Sequence, residues 1–176
     1  ERCGITAILT NPILCGVIGR YWRYAGGKIG FISDCGGNDL AERVKMSIDQ
    51  GACSCYVQGE TADRLVREGK FDEIAHALEL TRAAGLPAGI GGHRLETVKA
   101  CVERGLKPDF WMKTFHHLKY WSARPNDEMR DNRFCDDPDA VREFMASREE
   151  PWIAFKVLAA GAIPPQDGFR YAFENG

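Results

Sequence analysis

Six times along the chain a short apolar run gives way to a segment in which apolar residues recur at helical spacing. The runs are 4–9 (GITAIL), 28–33 (KIGFIS), 52–58 (ACSCYVQ), 86–90 (LPAGI), 109–115 (DFWMKTF) and 152–158 (WIAFKVL). They are short, bounded by glycine, proline or polar residues, and apolar nearly throughout, which predicts strands buried on both faces. The segments between them predict helices over 13–24, 39–50, 59–84 with a break near Gly69, 95–104, 138–147 and 165–174. Asn11-Pro12 and Asp137-Pro138 supply starting caps, and Gly26, Gly51, Gly85 and Gly105 supply stops. The longest stretch without a pattern is 116–136, and loops of that length in compact domains are usually functional or mobile.

Strand-then-helix repetition predicts an α/β protein with an all-parallel sheet covered by helices. An open doubly wound sheet and a (β/α)8 barrel both satisfy it. The G-x-G-x-x-G turn of the dinucleotide-binding open fold is missing after the first run. Alternation within the runs favours the barrel: an inward Lys113 brings Trp111 with it and turns Phe110 and Met112 toward the helices, while Gly89, Gly91 and His93 share one side. A TIM barrel has eight units and about 250 residues. The 176 residues are therefore read as one partial TIM-barrel domain, 1–176, of about six β/α units, lacking the first and the last.

A formal charge of −2 with both signs interspersed gives no basic stripe for nucleic acid and no polybasic membrane signal, so the expected partner is a small-molecule substrate. No apolar run reaches the roughly 20 residues of a membrane span. Unpaired sheet edges are a route to homo-oligomers. Seven cysteines, an odd number in a chain too long to need disulfide staples, read as free thiols in a reducing, cytoplasmic setting. A targeting segment ahead of Glu1 is compatible with that reading.

Barrel enzymes carry their reactive groups at the carboxyl ends of the strands. Those positions hold Thr10 and Asn11, Asp34, Gln58 and Glu60, His93, Lys113 and Thr114 with His116 or His117, and Lys156. Two lysines on adjacent strands, partly buried, lower each other's amine pKa, so one can attack a carbonyl while the other stays charged; a salt bridge to Glu60 or Asp34 is the plainer reading. His93, after two glycines, is a general acid or base, a metal ligand or a loop residue. Glu60 is a base partner, a metal ligand or a carboxylate at a helix start. Asn11, Asp34, Gln58, Thr114 and Gly161 are candidate substrate contacts, the last in the small-residue loop AAGA before a helix start.

The strings TNPIL, RYW, GGKIGFISDCGG, CYVQGE, GKFDEI, GLPAGIGGHRLETV, KPDFWMKTFHH, YWSARP, PWIAFKVLAAGAI and YAFENG resemble a family of uncharacterised bacterial TIM-barrel proteins. In that family a strand follows the final glycine. DFWMKT and FKVLAAG are also similar to the two lysine-bearing strands of deoxyribose-phosphate aldolases. That resemblance implies a Schiff-base role for Lys113 and a pKa-lowering role for Lys156, although the phosphate-binding glycine pair of those enzymes is not reproduced. The function expected is a small-molecule enzyme, a Schiff-base lyase or aldolase without a cofactor, with Lys113, Lys156, His93 and Glu60 as its catalytic residues. The alternatives are a divalent-metal isomerase or hydrolase with Glu60, His93 and His116 as ligands, and a barrel that binds a ligand without catalysis.

Overall fold

The computed structural model describes residues 3–123 and 135–176. Within them the six predicted strands form β1 (Ala7–Thr10), β2 (Gly30–Cys35), β3 (Ser54–Val57), β4 (Ala88–Gly92), β5 (Phe110–Thr114) and β6 (Trp152–Phe155). All five pairings are parallel and follow chain order, and the sheet curls into a half-barrel. Between the strands lie α1 (Cys15–Ala25), α2 (Leu40–Asp49), α3 (Gly59–Arg67), α4 (Phe71–Ala83), α5 (Leu95–Glu103) and α6 (Pro138–Ala146), and α7 (Pro165–Asn175) comes after β6. The strand starts fall within a few residues of the sequence reading. Part of the long segment expected to be irregular, 124–134, lies outside the described residues.

Local chemistry accounts for the breaks. Asn11 accepts a hydrogen bond from the Ile13 amide at 2.9 Å, and Asp137 accepts one from Ala140 at 2.9 Å, so each caps the turn it opens. Gly69, with φ +72°, divides α3 from α4 by taking a left-handed conformation that a β-carbon disfavours.

The core has two layers. On the outer face, Phe31, Val57, Ile90, Trp111 and Phe115 of the sheet side pack with Leu65, Ile74, Leu78, Val98, Val141 and Met145 from the helices. On the inner face, Tyr56, Phe110 and Met112 cluster with Ile32 and Phe155. This reverses the expected orientation of β5: Trp111 faces the helices, and Phe110 and Met112 face inward. Lys113 goes with Trp111, since it pairs in register with Gly92, whose missing side chain would meet Val98 and Thr97 of α5. Both faces of a covered parallel strand are apolar, so alternation gives the period of β5 without its phase. Gly89 and Gly91 do share the inner face. A β-carbon at Gly89 would stand 2.4 Å from the Phe110 ring, and one at Gly91 would stand 2.8 Å from both the Gly59 nitrogen and the Val57 carbonyl oxygen.

All seven cysteines are free thiols. No helix among the described residues is long and apolar enough to cross a membrane.

Two glycine substitutions should act with opposite signs. Gly91→Ala forces β4 away from backbone atoms that have nowhere to go and should cost about 1–3 kcal/mol of unfolding free energy. Gly19→Ala, inside α1 where nothing lies within 4 Å of the new methyl group, should add about 0.5–1 kcal/mol. Urea unfolding curves of the two variants provide the comparison.

Candidate active site

The Gly-rich strand β4 lets the corner between β3 and α3 sit directly against the residue that leaves it, His93. A β-carbon at Gly59 would come within 3.1 Å of the His93 ring, so glycine at the first position of α3 makes room for the imidazole. One helical turn later Asp63 faces the same point. Its Oδ2 accepts the His93 backbone amide at 3.3 Å and stands 3.1 Å from Nδ1 of the ring, with the two side chains only 15% and 12% exposed. The ring also meets Phe155, tilted at 46° and centroid to centroid at 5.5 Å. Burial alone would raise the Asp63 pKa, but hydrogen bonds from His93 and Thr97 outweigh it and hold the carboxyl below its ordinary value. An anionic Asp63 accepts from Nδ1–H, which leaves Nε2 as the basic nitrogen of His93.

Asp34 forms a second centre at the end of β2, across from Tyr56 in the β2–β3 register. Burial raises its pKa, opposed by hydrogen bonds from Gln58 and Tyr56 and by the charge of His93. The Tyr56 hydroxyl is in turn pushed well above its ordinary value by burial and by the Asp34 charge. Asp34, Gln58 and His93 are thus gathered at one mouth. Thr114 joins this face as the register partner of Phe155, fully buried.

The remaining predicted residues are placed elsewhere. Lys113 is completely buried, and its Nζ donates to the carbonyl oxygens of His93 at 2.6 Å and Thr114 at 3.0 Å. Burial drives its amine down to about 8, while Cys135, Asp63, Glu96 and Asp136 push it back up. The expected mutual effect of two ammonium groups does not head these causes, and Lys156 lies exposed beyond β6. Lys156, Ala159 and Ala160 have left-handed backbones (φ 54°, 46° and 54°), and Gly161, at φ 90°, ends this turn exposed. Glu60 is exposed in the first turn of α3. Asn11 is occupied as a cap. His116 is fully buried, its Nδ1 3.0 Å from the His117 carbonyl and its ring edge-on to Tyr120. His117 is half-buried in loop packing against Tyr171. Glu60, His93 and His116 do not converge. Among the described residues no group of three or more His, Cys, Asp or Glu side chains is close enough to hold a metal ion.

Two members of this site, Asp63 and Tyr56, are missing from the sequence reading. Asp63 lies four positions after Gly59 and so shares its face of the helix, a signal that helical periodicity carries. Tyr56 is indistinguishable from a core aromatic until Asp34 is placed beside it. Compared with protein-family models and with curated proteins, the sequence matches none.

The buried lysine should be visible as a stability slope. A lysine pKa lowered in the folded state means that the unfolded chain binds more protons between about pH 8 and the ordinary value of 10.5, so this group makes stability rise with pH across that window. Raised thiols such as Cys101, pushed up to about 12, act in the opposite direction, so the contribution is read as a difference. Relative to wild type, Lys113→Met should be most favoured near pH 7 and should lose that advantage by pH 10. A pH-independent difference in denaturant unfolding would show that folding does not lower the Lys113 pKa.

Proposed function

We propose that the chain is a small-molecule enzyme of the (β/α)8-barrel type that moves a proton at a carbon beside a carbonyl group, the step shared by isomerases and carbon–carbon lyases. His93 is the acid–base residue and Asp63 its positioning residue. The observation that carries this reading is the His93–Asp63 pair: an imidazole at the mouth, held through Nδ1 and its own backbone amide by one buried carboxylate. A base oriented by a third group is the recurring arrangement for proton transfer. In an isomerisation Nε2 takes the proton from carbon as the electron pair moves to the carbonyl oxygen, which gains a proton, and returns it to the former carbonyl carbon as the neighbouring hydroxyl loses its proton and becomes the new carbonyl. In a lyase cleavage the β-hydroxyl loses its proton and becomes a carbonyl, the carbon–carbon bond breaks, and protonated Nε2 gives its proton to the α-carbon of the enolate left behind. Gly59 and Phe155 fix the ring plane, and Asp34, Tyr56 and Gln58 offer polar contacts to the rest of the substrate.

Hydrogen–deuterium exchange tests this directly. Hydroxyacetone, dihydroxyacetone, glyceraldehyde and pyruvate are incubated with the protein in D2O, and loss of the α-proton is followed by NMR. Exchange above the buffer rate is expected with at least one of them, reduced about 10²–10⁴-fold in His93→Gln. Asp63→Asn should lower it by a smaller factor and displace the pH profile. Exchange that His93→Gln leaves unchanged removes His93 from the chemistry.

A second reading, the Schiff-base lyase, is favoured by one observation: an amine lowered to about 8 by burial is roughly one-tenth neutral at pH 7. It requires Lys113 to leave the two carbonyl oxygens it bonds. Borohydride trapping with the same compounds, read by mass spectrometry, should then mark Lys113, and the adduct should be lost in Lys113→Met. An unmodified Lys113 alongside His93-dependent exchange selects the first reading.

A further inference from the structure

Four buried side-chain polar atoms have no hydrogen-bond partner among the described residues: Asp34 Oδ1, Asp63 Oδ1, Thr114 Oγ1 and His116 Nε2. A buried polar atom without a partner loses its hydration and gains nothing in return, so their distribution is informative. All four belong to residues at the carboxyl end of the sheet or in the segments that follow it, and none lies at the opposite rim. Two of them, on Asp34 and Thr114, sit on the inner face, because their register partners are the inner-face residues Tyr56 and Phe155.

The chemistry of Asp34 narrows what can complete it. A carboxylate is an acceptor only, so Oδ1 calls for a donor. The groups acting on Asp34 are the neutral donors Tyr56 and Gln58 and the imidazole of His93, which is positive only when protonated. A cation complements such a carboxylate best, since hydrogen bonds with ionised partners are about twice as strong as neutral ones and weaken less where water is excluded. Thr114, fully buried with an unpartnered hydroxyl, adds a group that both donates and accepts.

We propose that the inner face at Asp34 is the specificity pocket of the site, taking a protonated amino group of the small molecule on which His93 acts, with Thr114 contacting a hydroxyl of that molecule. This rests on the acid–base reading of His93 and adds the substrate class: a small hydroxylated amine.

Serinol and glycerol test it, since they share a three-carbon frame and differ by an ammonium in place of the central hydroxyl. Each is titrated into the 15N-labelled chain at pH 7, with the amide shifts of Gln58 and Gly91 giving Kd. Serinol is expected to bind at least about tenfold more tightly than glycerol, a difference of about 1.4 kcal/mol. In Asp34→Asn, which keeps the shape and removes the charge, the ratio should fall to about one. Equal affinities in wild type, no measurable serinol binding, or a preference that survives in Asp34→Asn would each overturn the proposal. The wild-type comparison needs no variant, so poor folding of Asp34→Asn leaves the test decisive. Failure of the His93 reading appears separately, as deuterium exchange that persists in His93→Gln whichever compound binds.

Discussion

At Gly91 one added methyl group would stand 2.8 Å from both the Gly59 nitrogen and the Val57 carbonyl oxygen. That close approach of β4 to the β3–α3 corner is the contact on which the mouth depends. It sets Gly59 against the His93 ring, and through the first turn of α3 it brings Asp63 to the Nδ1 side of that ring. The same flatness of β4, at Gly89, makes space for the Phe110 ring and so for the aromatic floor of the inner face. A strand that contributes almost no side chains is therefore what permits the side chains of its neighbours to meet.

Charge is distributed around this point in a definite order. Asp63 is anionic because the bonds it accepts outweigh its burial, and Asp34 is less acidic than usual because its bonds do not. Two carboxyls at one mouth are thus driven apart in pKa, a pattern found where acid–base and binding roles are divided. Lys113 approaches from the helix side, so its ammonium acts on the site through the His93 backbone carbonyl. The left-handed residues Lys156, Ala159 and Ala160 bound the mouth on the β6 side, each at a cost of roughly 1–2 kcal/mol that the surrounding structure must offset.

The succession of parallel strands was legible because each is an apolar run bounded by turn residues, and the division at Gly69 because glycine interrupts an otherwise continuous helical pattern. The direction in which β5 faces was not: Trp111 and Met112 are both apolar, both buried, and exchangeable in a pattern argument. His93 and Asp34 were recognisable as polar residues ending apolar runs. Glu60 carries the same signal and lies exposed, because the helix begins at Gly59 and turns it outward, while Asp63 is turned inward by the same helix. Pairings of this kind are made by tertiary placement, and one-dimensional spacing reports them only after the helix start is fixed.

The strict neighbour-to-neighbour order of the sheet also bears on how the chain reaches its fold. Ala7 finds Gly30 and Trp111 finds Trp152, each across a single intervening unit, and each of the five pairings among the described residues joins strands consecutive in the chain. The entropy of closing each loop grows only with the logarithm of its length, so every step of sheet growth faces a barrier of similar height. Such a chain can extend its sheet one unit at a time as it leaves the ribosome, N-terminal strands first, with the edge strand of the moment serving as template for the next.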